Sequence, residues 1–213
     1  MTRDGGPVGE PLPRGDRRLV ALVDEATGRA RDRAGPHLTC QAGCSPCCFG
    51  PFAITQLDAW RLRRGLNRLA ETNVGRANGV RRRAHAAVET QSPVFPSGRV
   101  GLFATEAEEH RFYRQFESSP CPALDPDSGA CVVYEWRPLV CRTYGPPVRI
   151  DGDDFPPCPL CFTKATSDEV EAARQPIDVS VEEAPLVDAA ETEFGRRGMT
   201  TVAFALAEDT AGW

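Results

Sequence analysis

The chemistry available to this chain is concentrated in its nine cysteines, which fall into four compact groups. These are Cys40-x3-Cys44-x2-Cys47-Cys48, then Cys121, Cys131 and Cys141 at ten-residue intervals, then Cys158-x2-Cys161. A two-residue spacer lets both thiolates of a tight turn face one ion while the intervening N–H groups donate to sulfur. Pro46, Pro122 and Pro159 stiffen those turns before an ion arrives. Four coordinating thiolates carry −4, so a zinc ion or a 4Fe–4S core of charge +2 leaves −2 per site. Arg137 and Arg142 bracket Cys141 and can offset that excess. Nine thiols make two four-cysteine sites with one to spare, or one cluster beside a differently ligated second metal.

Zinc and iron both remain open at this level. Structural zinc sites are usually built from pairs of Cys-x2-Cys knuckles, and only 44/47 and 158/161 have that form. Cysteine followed by proline, at 121 and 158, is familiar near iron–sulfur clusters and also occurs in zinc loops. Side chains of adjacent residues tend to diverge, so Cys47 and Cys48 are expected to serve different sites. The spacing of Cys40, Cys44 and Cys47 copies the cluster loop of radical-SAM enzymes. Pro46, however, stands where an aromatic is usual, and a helix instead of a barrel strand precedes the motif, so that fold is not expected.

Composition supports metal over disulfides. The 213 residues are 41% hydrophobic and 26% charged, as in ordinary globular proteins, with 25 basic against 30 acidic residues for a net charge of −5. No apolar run approaches a membrane span and no secretory signal is visible, which predicts a cytoplasmic protein away from membranes. Cytoplasmic chains rarely keep disulfides, and an odd cysteine count leaves one unpaired.

The elements that must position these thiols are mostly helices. Residues 1–15, with four glycines and three prolines, read as a disordered leader, and 16–213 as one domain. Asp16 is expected to cap a helix to about Ala34, with Leu19, Leu22, Val23 and Ala26 on one face and Gly35-Pro36 as the stop. Thr55 caps a second helix over 56–71, another covers 77–90, and Thr105 with Glu108 matches a capping box for a helix to about Glu117. Residues 92–103 read as a loop. Beyond Cys121 the chain predicts a short hairpin around Asp125–Gly129, a helical turn opened by Pro138, and a second hairpin at Val148–Phe155 around Asp151-Gly152. Ser167 is expected to cap a short helix, and 181–194 a longer one ended by Gly195 or Gly198. The class is helix-rich α+β: helices around a small, irregular, metal-clamped hairpin segment at 38–162, with a helical insertion at 55–117 and a helical extension at 163–213.

Charge is unevenly spread. Residues 61–83 hold eight arginines against Glu71, while 167–194 hold nine acids against Arg174. The basic stretch Arg61–Arg83 offers a grip for an anionic partner, though the two blocks facing each other or water explains them as well. With 24 arginines and only Lys164, the arginine skew reflects genome composition and nucleic acid is not the expected partner. His37, His85 and His110 read as loop or surface histidines, and Glu108 and Glu109 as capping and surface groups.

Three stretches resemble the YkgJ-type cysteine-cluster family, the zinc- or iron-chelating CxxCxxCC domain that also includes the flagellin lysine N-methylase. They are Cys40–Cys48, Cys121-Pro-Ala-Leu-Asp125, and above all Cys131-Val-Val-Tyr-Glu-Trp-Arg-Pro-Leu-Val-Cys141-Arg142. The family pattern is a CxxCxxCC-like cluster, then Cys-Pro-x-Leu, then Cys-x-Ile-Tyr-x-x-Arg-Pro-x-x-Cys-Arg. Here Val133 replaces the isoleucine and the first spacer is three residues. The resemblance implies that eight or nine cysteines bind an iron–sulfur cluster, 4Fe–4S foremost, or zinc. It also implies that Tyr134, Arg137 and Arg142 surround the site as the candidate catalytic residues. Three functions follow: an iron–sulfur enzyme acting on a protein or peptide, with adenosylmethionine-linked methyl transfer its most specific form; a non-catalytic zinc module; or a carrier of iron or zinc.

Overall fold

The computed structural model describes residues 15–96 and 103–207. All but Gly15 of the expected leader, and residues 97–102 of the expected loop, lie outside them.

Side-chain caps open three of the main helices; those at Thr55 and Thr105 start where the sequence places them, and the one expected over 77–90 starts earlier, after Asn73. Thr55 accepts from the Asp58 N–H at 3.2 Å to open α2 (Gln56–Thr72). Asn73 accepts from Arg76 at 3.0 Å to open α3 (Val74–Gln91), and Thr105 accepts from Glu108 at 3.2 Å to open α4 (Glu106–Gln115). α1 (Asp16–Ala34) differs at its start: Gly15 occupies the cap, and Asp16 is a buried residue of the first turn. Gly35 and Pro36 end it, as expected, in a 3-10 turn, Gly35–His37. α5 (Leu139–Thr143) is the single turn opened by Pro138, which sits at its cap.

Two small sheets tie the helices together. β1 (Ala53–Ile54) pairs antiparallel with β5 (Thr200–Thr201). β2 (Val148–Ile150) and β3 (Asp153–Phe155) form the hairpin expected around Asp151-Gly152, where both residues have positive φ as a tight type I′-like turn requires. β4 (Gln175–Ile177) adds parallel to β2, a long-range pairing with no local signature. The hairpin expected beyond Cys121 is reduced to one bridge, Leu124 to Cys131, because the 125–129 turn closes it at once.

The tail corrects two expectations. Thr166, not Ser167, caps α6 (Ser167–Ala173), in a complete capping box with Glu169. α7 (Ser180–Phe194) ends at Gly195 in the left-handed conformation. Beyond it, α8 (Val202–Ala207) is buried at every position, a helix the sequence reading did not foresee. An element that is apolar all round gives no 3.6-residue stripe to read. It packs against α2 and α3, in a core with Leu62, Leu66, Val80 and Ala84. A second core joins α1 to Leu57, Leu139, Val148, Ile177 and Ala190. The class is the expected helix-rich α+β.

Gly65 on α2 lets Trp136 lie against the helix backbone, since a Cβ there would overlap the Trp136 ring. Gly65→Ala is therefore expected to destabilise by about 1–3 kcal/mol through overpacking. A lower urea midpoint, together with a shift in tryptophan emission, would check this.

Candidate metal centre

Backbone hydrogen bonds bring distant cysteines together in two separate groups. In the first, Cys161 N–H donates to the Cys158 carbonyl at 2.8 Å, and Cys158 N–H to Gly145 at 2.9 Å. Phe162 N–H donates to His37 at 2.9 Å, which hangs this knuckle on the chain just before Cys40. The Cys40 and Cys161 sulfurs then lie 3.9 Å apart, and the Thr39 hydroxyl sits 3.6 Å from Cys161 Sγ. Cys44 completes the set, with its thiol in the electrostatic neighbourhood of Cys40 and Cys158. Cys158 and Cys161 are buried beside Ala34, Phe162 and Ala173.

The second group forms around the 3-10 turn Pro46–Cys48. The Cys48 carbonyl accepts from Cys121 N–H at 2.7 Å, and Gly50 N–H donates to Ser119 at 2.8 Å, so 48–50 is laced to 119–121. The Leu124–Cys131 bridge adds Cys131, and α5 adds Cys141, with Leu139 N–H donating to Asp58 Oδ1 at 3.1 Å. Cys47, Cys121 and Cys131 all lie near enough to Cys141 to oppose its ionisation. Cys48 is the neighbour that most opposes ionisation of Cys47.

Most of these thiols resist ionisation without a cation. Burial, then the neighbouring Cys161, Cys158 and Cys44 sulfurs, push Cys40 up to about 12. Burial raises Cys121 to about 12, and raises Cys131, Cys141 and Cys158 as well. For Cys47 the hydrogen bond with Cys48 is the first cause, ahead of burial. Cys161 shifts the other way: its burial is outweighed by hydrogen bonds with Thr39, Cys40 and Cys158, which lower it. Clustered thiols that hold one another protonated form a donor set for a soft divalent cation, whose charge removes the repulsion. Among the described residues no three His, Cys, Asp or Glu side chains are drawn together tightly enough to hold an ion. The Cys40–Cys161 pair is at such spacing, since bonds of about 2.3 Å in a tetrahedron separate sulfurs by roughly 3.8 Å.

The residues around the thiols divide by role. Arg137 lies near Cys47 and Cys131, favouring their ionised forms, and its guanidinium stacks 3.7 Å from the Tyr134 ring centroid. Tyr134 is otherwise exposed. Arg142 is buried and turned elsewhere: it donates to Asp24 at 2.7 Å and to the Glu135 and Arg137 carbonyls at 2.6 and 3.2 Å. It braces the loop before α5 against α1. His37 stacks on Phe162 and faces Glu169, 4.0 Å away, while His110 faces Glu106 on the surface. The arginines of the basic stretch also hold this region in place. Arg76 pairs with Asp125 at 2.6 Å, and Arg83 Nε donates to the Pro122 carbonyl at 3.0 Å.

The sequence reading missed Tyr144, Thr39 and Asp58. Tyr144 stands where the two groups meet: burial, then Cys158, Cys47, Cys161 and Cys40, raise its hydroxyl. Its position three residues after Cys141 was a usable signal, as was that of Thr39 beside Cys40. Asp58 had none, because only folding brings it to Leu139.

A family model named CxxCxxCC, described as "Putative zinc- or iron-chelating domain", matches residues 39–159. That is more than half of the chain. The chain belongs to the CxxCxxCC family. No curated protein and no solved structure matches it. The CxxCxxCC match takes in eight of the nine cysteines and stops two residues short of Cys161, which nevertheless has the closest sulfur neighbour described above. As a member of that family the chain carries a metal-binding cysteine cluster. Among the described residues no helix is long and apolar enough to cross a membrane.

Proposed function

We propose that this CxxCxxCC chain binds two separate metal ions through thiolates, zinc in the first instance. Cys40, Cys44, Cys158 and Cys161 form one centre; the other is drawn from Cys47, Cys48, Cys121, Cys131 and Cys141. The observation that carries this reading is the division of nine sulfurs into two groups, with Cys40 and Cys161 at 3.9 Å, near the edge of a tetrahedral thiolate site. A bound divalent ion supplies the positive charge that lets the thiols ionise and cross-links chain segments far apart in sequence. The chain's own part is to hold the sulfurs. The 158–161 knuckle hydrogen-bonds to Gly145 and is followed by Phe162, bonded to His37; Thr39 steadies Cys161; and Arg137 offsets negative charge at the second group.

A second reading is favoured by one observation. Cys47 is exposed, and the second group is flanked by exposed Phe49, Tyr134, Val140 and Tyr144, so a molecule from solution can reach it. That suits an iron–sulfur centre, 4Fe–4S foremost, with an accessible iron acting on a peptide or protein, adenosylmethionine being the most specific co-substrate.

Anaerobic purification followed by elemental analysis and an absorption spectrum of the same sample separates the two. The expected result is a colourless protein with about two zinc ions per chain. A brown protein with several iron atoms per chain, whose visible absorbance bleaches on reduction, would overturn the zinc reading and establish the cluster.

A further inference from the structure

The fold thins out the basic stretch Arg61–Arg83. Arg61 is buried between Asp16 and Asp58, Arg68 pairs with Glu71 at 2.9 Å, and Arg76 pairs with Asp125 at 2.6 Å. The acidic stretch that could have faced it is engaged elsewhere. α7 packs against α1 and α2, Glu169 caps α6, and Glu171 pairs with Arg149 and Arg174. Arg81, Arg82 and Arg83 of α3 remain, and none of them meets a carboxylate among the described residues. Arg81 is tied to Asn78 Oδ1 at 3.2 Å. Arg83 is anchored through Nε, which donates to the Pro122 carbonyl at 3.0 Å. Its Nη1 turns back along the helix, to 3.4 Å from where a Cβ on Gly79 would stand, and Arg82 Nη2 comes within 3.9 Å of the same point. Two like charges therefore converge over one glycine, an arrangement that is unfavourable until an anion joins them. Gly75 and Ala86 share that strip of α3, one turn before Gly79 and two turns after it, so no side chain larger than a methyl occupies it.

We propose that Arg82 and Arg83, converging over Gly79, form a binding site for a phosphoryl group. A carboxylate brings one charge and two oxygens, which a single guanidinium fork satisfies. A phosphoryl group brings nearly two negative charges and three acceptor oxygens, enough for both forks at once. The Arg83–Pro122 hydrogen bond holds one fork in place before the ligand arrives, which reduces the side-chain ordering that binding costs. Arg82 is exposed and supplies the second fork from solvent. A longer side chain at position 79 would stand where the two tips meet, so glycine there keeps the site open. Pro122 directly follows Cys121, which sets the anchored fork beside the second cysteine group, whichever metal that group takes.

The test titrates the full chain into a fluorescein-labelled short peptide carrying one phosphoserine and no other charged side chain, with anisotropy as the readout. The same peptide with serine should not bind, and with glutamate should bind at least about ten-fold more weakly, since it offers one charge and satisfies one fork. Unlabelled inorganic phosphate should displace the phosphopeptide. Displacement at the phosphopeptide's own Kd makes the phosphoryl group alone the ligand, and displacement only at much higher concentration makes the peptide carrier part of it; either result upholds the site. Arg82→Gln removes an exposed side chain and should weaken phosphopeptide binding at least about ten-fold, the scale of one lost set of charged hydrogen bonds. Gly79→Leu keeps both arginines and replaces a helix-weakening glycine, so its urea midpoint should hold or rise while phosphopeptide binding falls as far as in Arg82→Gln. No phosphopeptide binding, equal binding of the glutamate peptide, or unchanged affinity in either variant would overturn the proposal.

Discussion

Arg61→Met should lower folding stability by about 3–5 kcal/mol, the scale on which removing one member of a buried ion pair is felt. The Arg61 side chain is 2% exposed. Its Nη2 donates to Asp16 Oδ1 at 2.6 Å and its Nη1 to Asp58 Oδ1, so it pins the start of α1 to the first turn of α2. Asp58 in turn receives Leu139 N–H at the head of α5, which carries Cys141. Methionine fills the volume but leaves two buried carboxylates without their cation, and chemical denaturation should show the deficit directly. The pH dependence gives a second check through Glu183. Burial, then repulsion from Asp58, already raise its carboxyl to about 7, and Arg61 is what holds it down. Without Arg61 that folded-state value rises further above the unfolded one. Stability is then intact below about pH 4.3 and is lost as pH climbs through the folded value, so the deficit should be larger at pH 8 than at pH 4. A deficit under 1 kcal/mol at both would show that the three groups do not act as a buried unit.

Cys158→Ser should remove one metal ion and leave the other. Structural zinc in small domains contributes roughly 10–16 kcal/mol of binding free energy, so losing a ligand on that scale is felt by the segment it clamps. The 143–165 stretch, held by the Gly145–Cys158 and His37–Phe162 hydrogen bonds, should become open to limited proteolysis. Gly145→Ala should act on the same centre more mildly. Gly145 has φ +121°, and a Cβ there would meet Cys40 Sγ at 3.1 Å, so the backbone or the sulfur must shift. Its metal stoichiometry should stay at two, with weaker retention of the first ion under chelator competition. Cys141→Ser should give the mirror image, keeping the ion held by Cys40, Cys44, Cys158 and Cys161. If either cysteine variant loses both ions together, all nine thiols serve one shared cluster.

The sequence by itself determined the chemistry and the local elements. Nine thiols in four tight groups specify soft-metal ligation whatever the fold around them. Thr55 and Thr105 caps, the Gly35-Pro36 stop, the Asp151-Gly152 turn and the Gly195 terminus were readable because each acts within about four residues of itself. Even among these, the choice between Thr166 and Ser167 turned on a side-chain bond that adjacent, similar residues do not distinguish. Which thiols come near one another was decided only in three dimensions. Cys40 meets Cys161 across 121 residues, and Asp58 meets Leu139 across 81, contacts that cost loop-closure entropy and form only because other parts of the chain pack. α8 belongs to the same class: its uniform apolar run shows no face until α2 and α3 supply one on each side. So does the fate of the arginines, which read as a basic surface but are in part drawn inward, Arg61 to Asp16 and Asp58 and Arg83 to Pro122. A charge in sequence shows its sign and its count, and only the packed chain decides whether it meets water, a carboxylate or a backbone carbonyl.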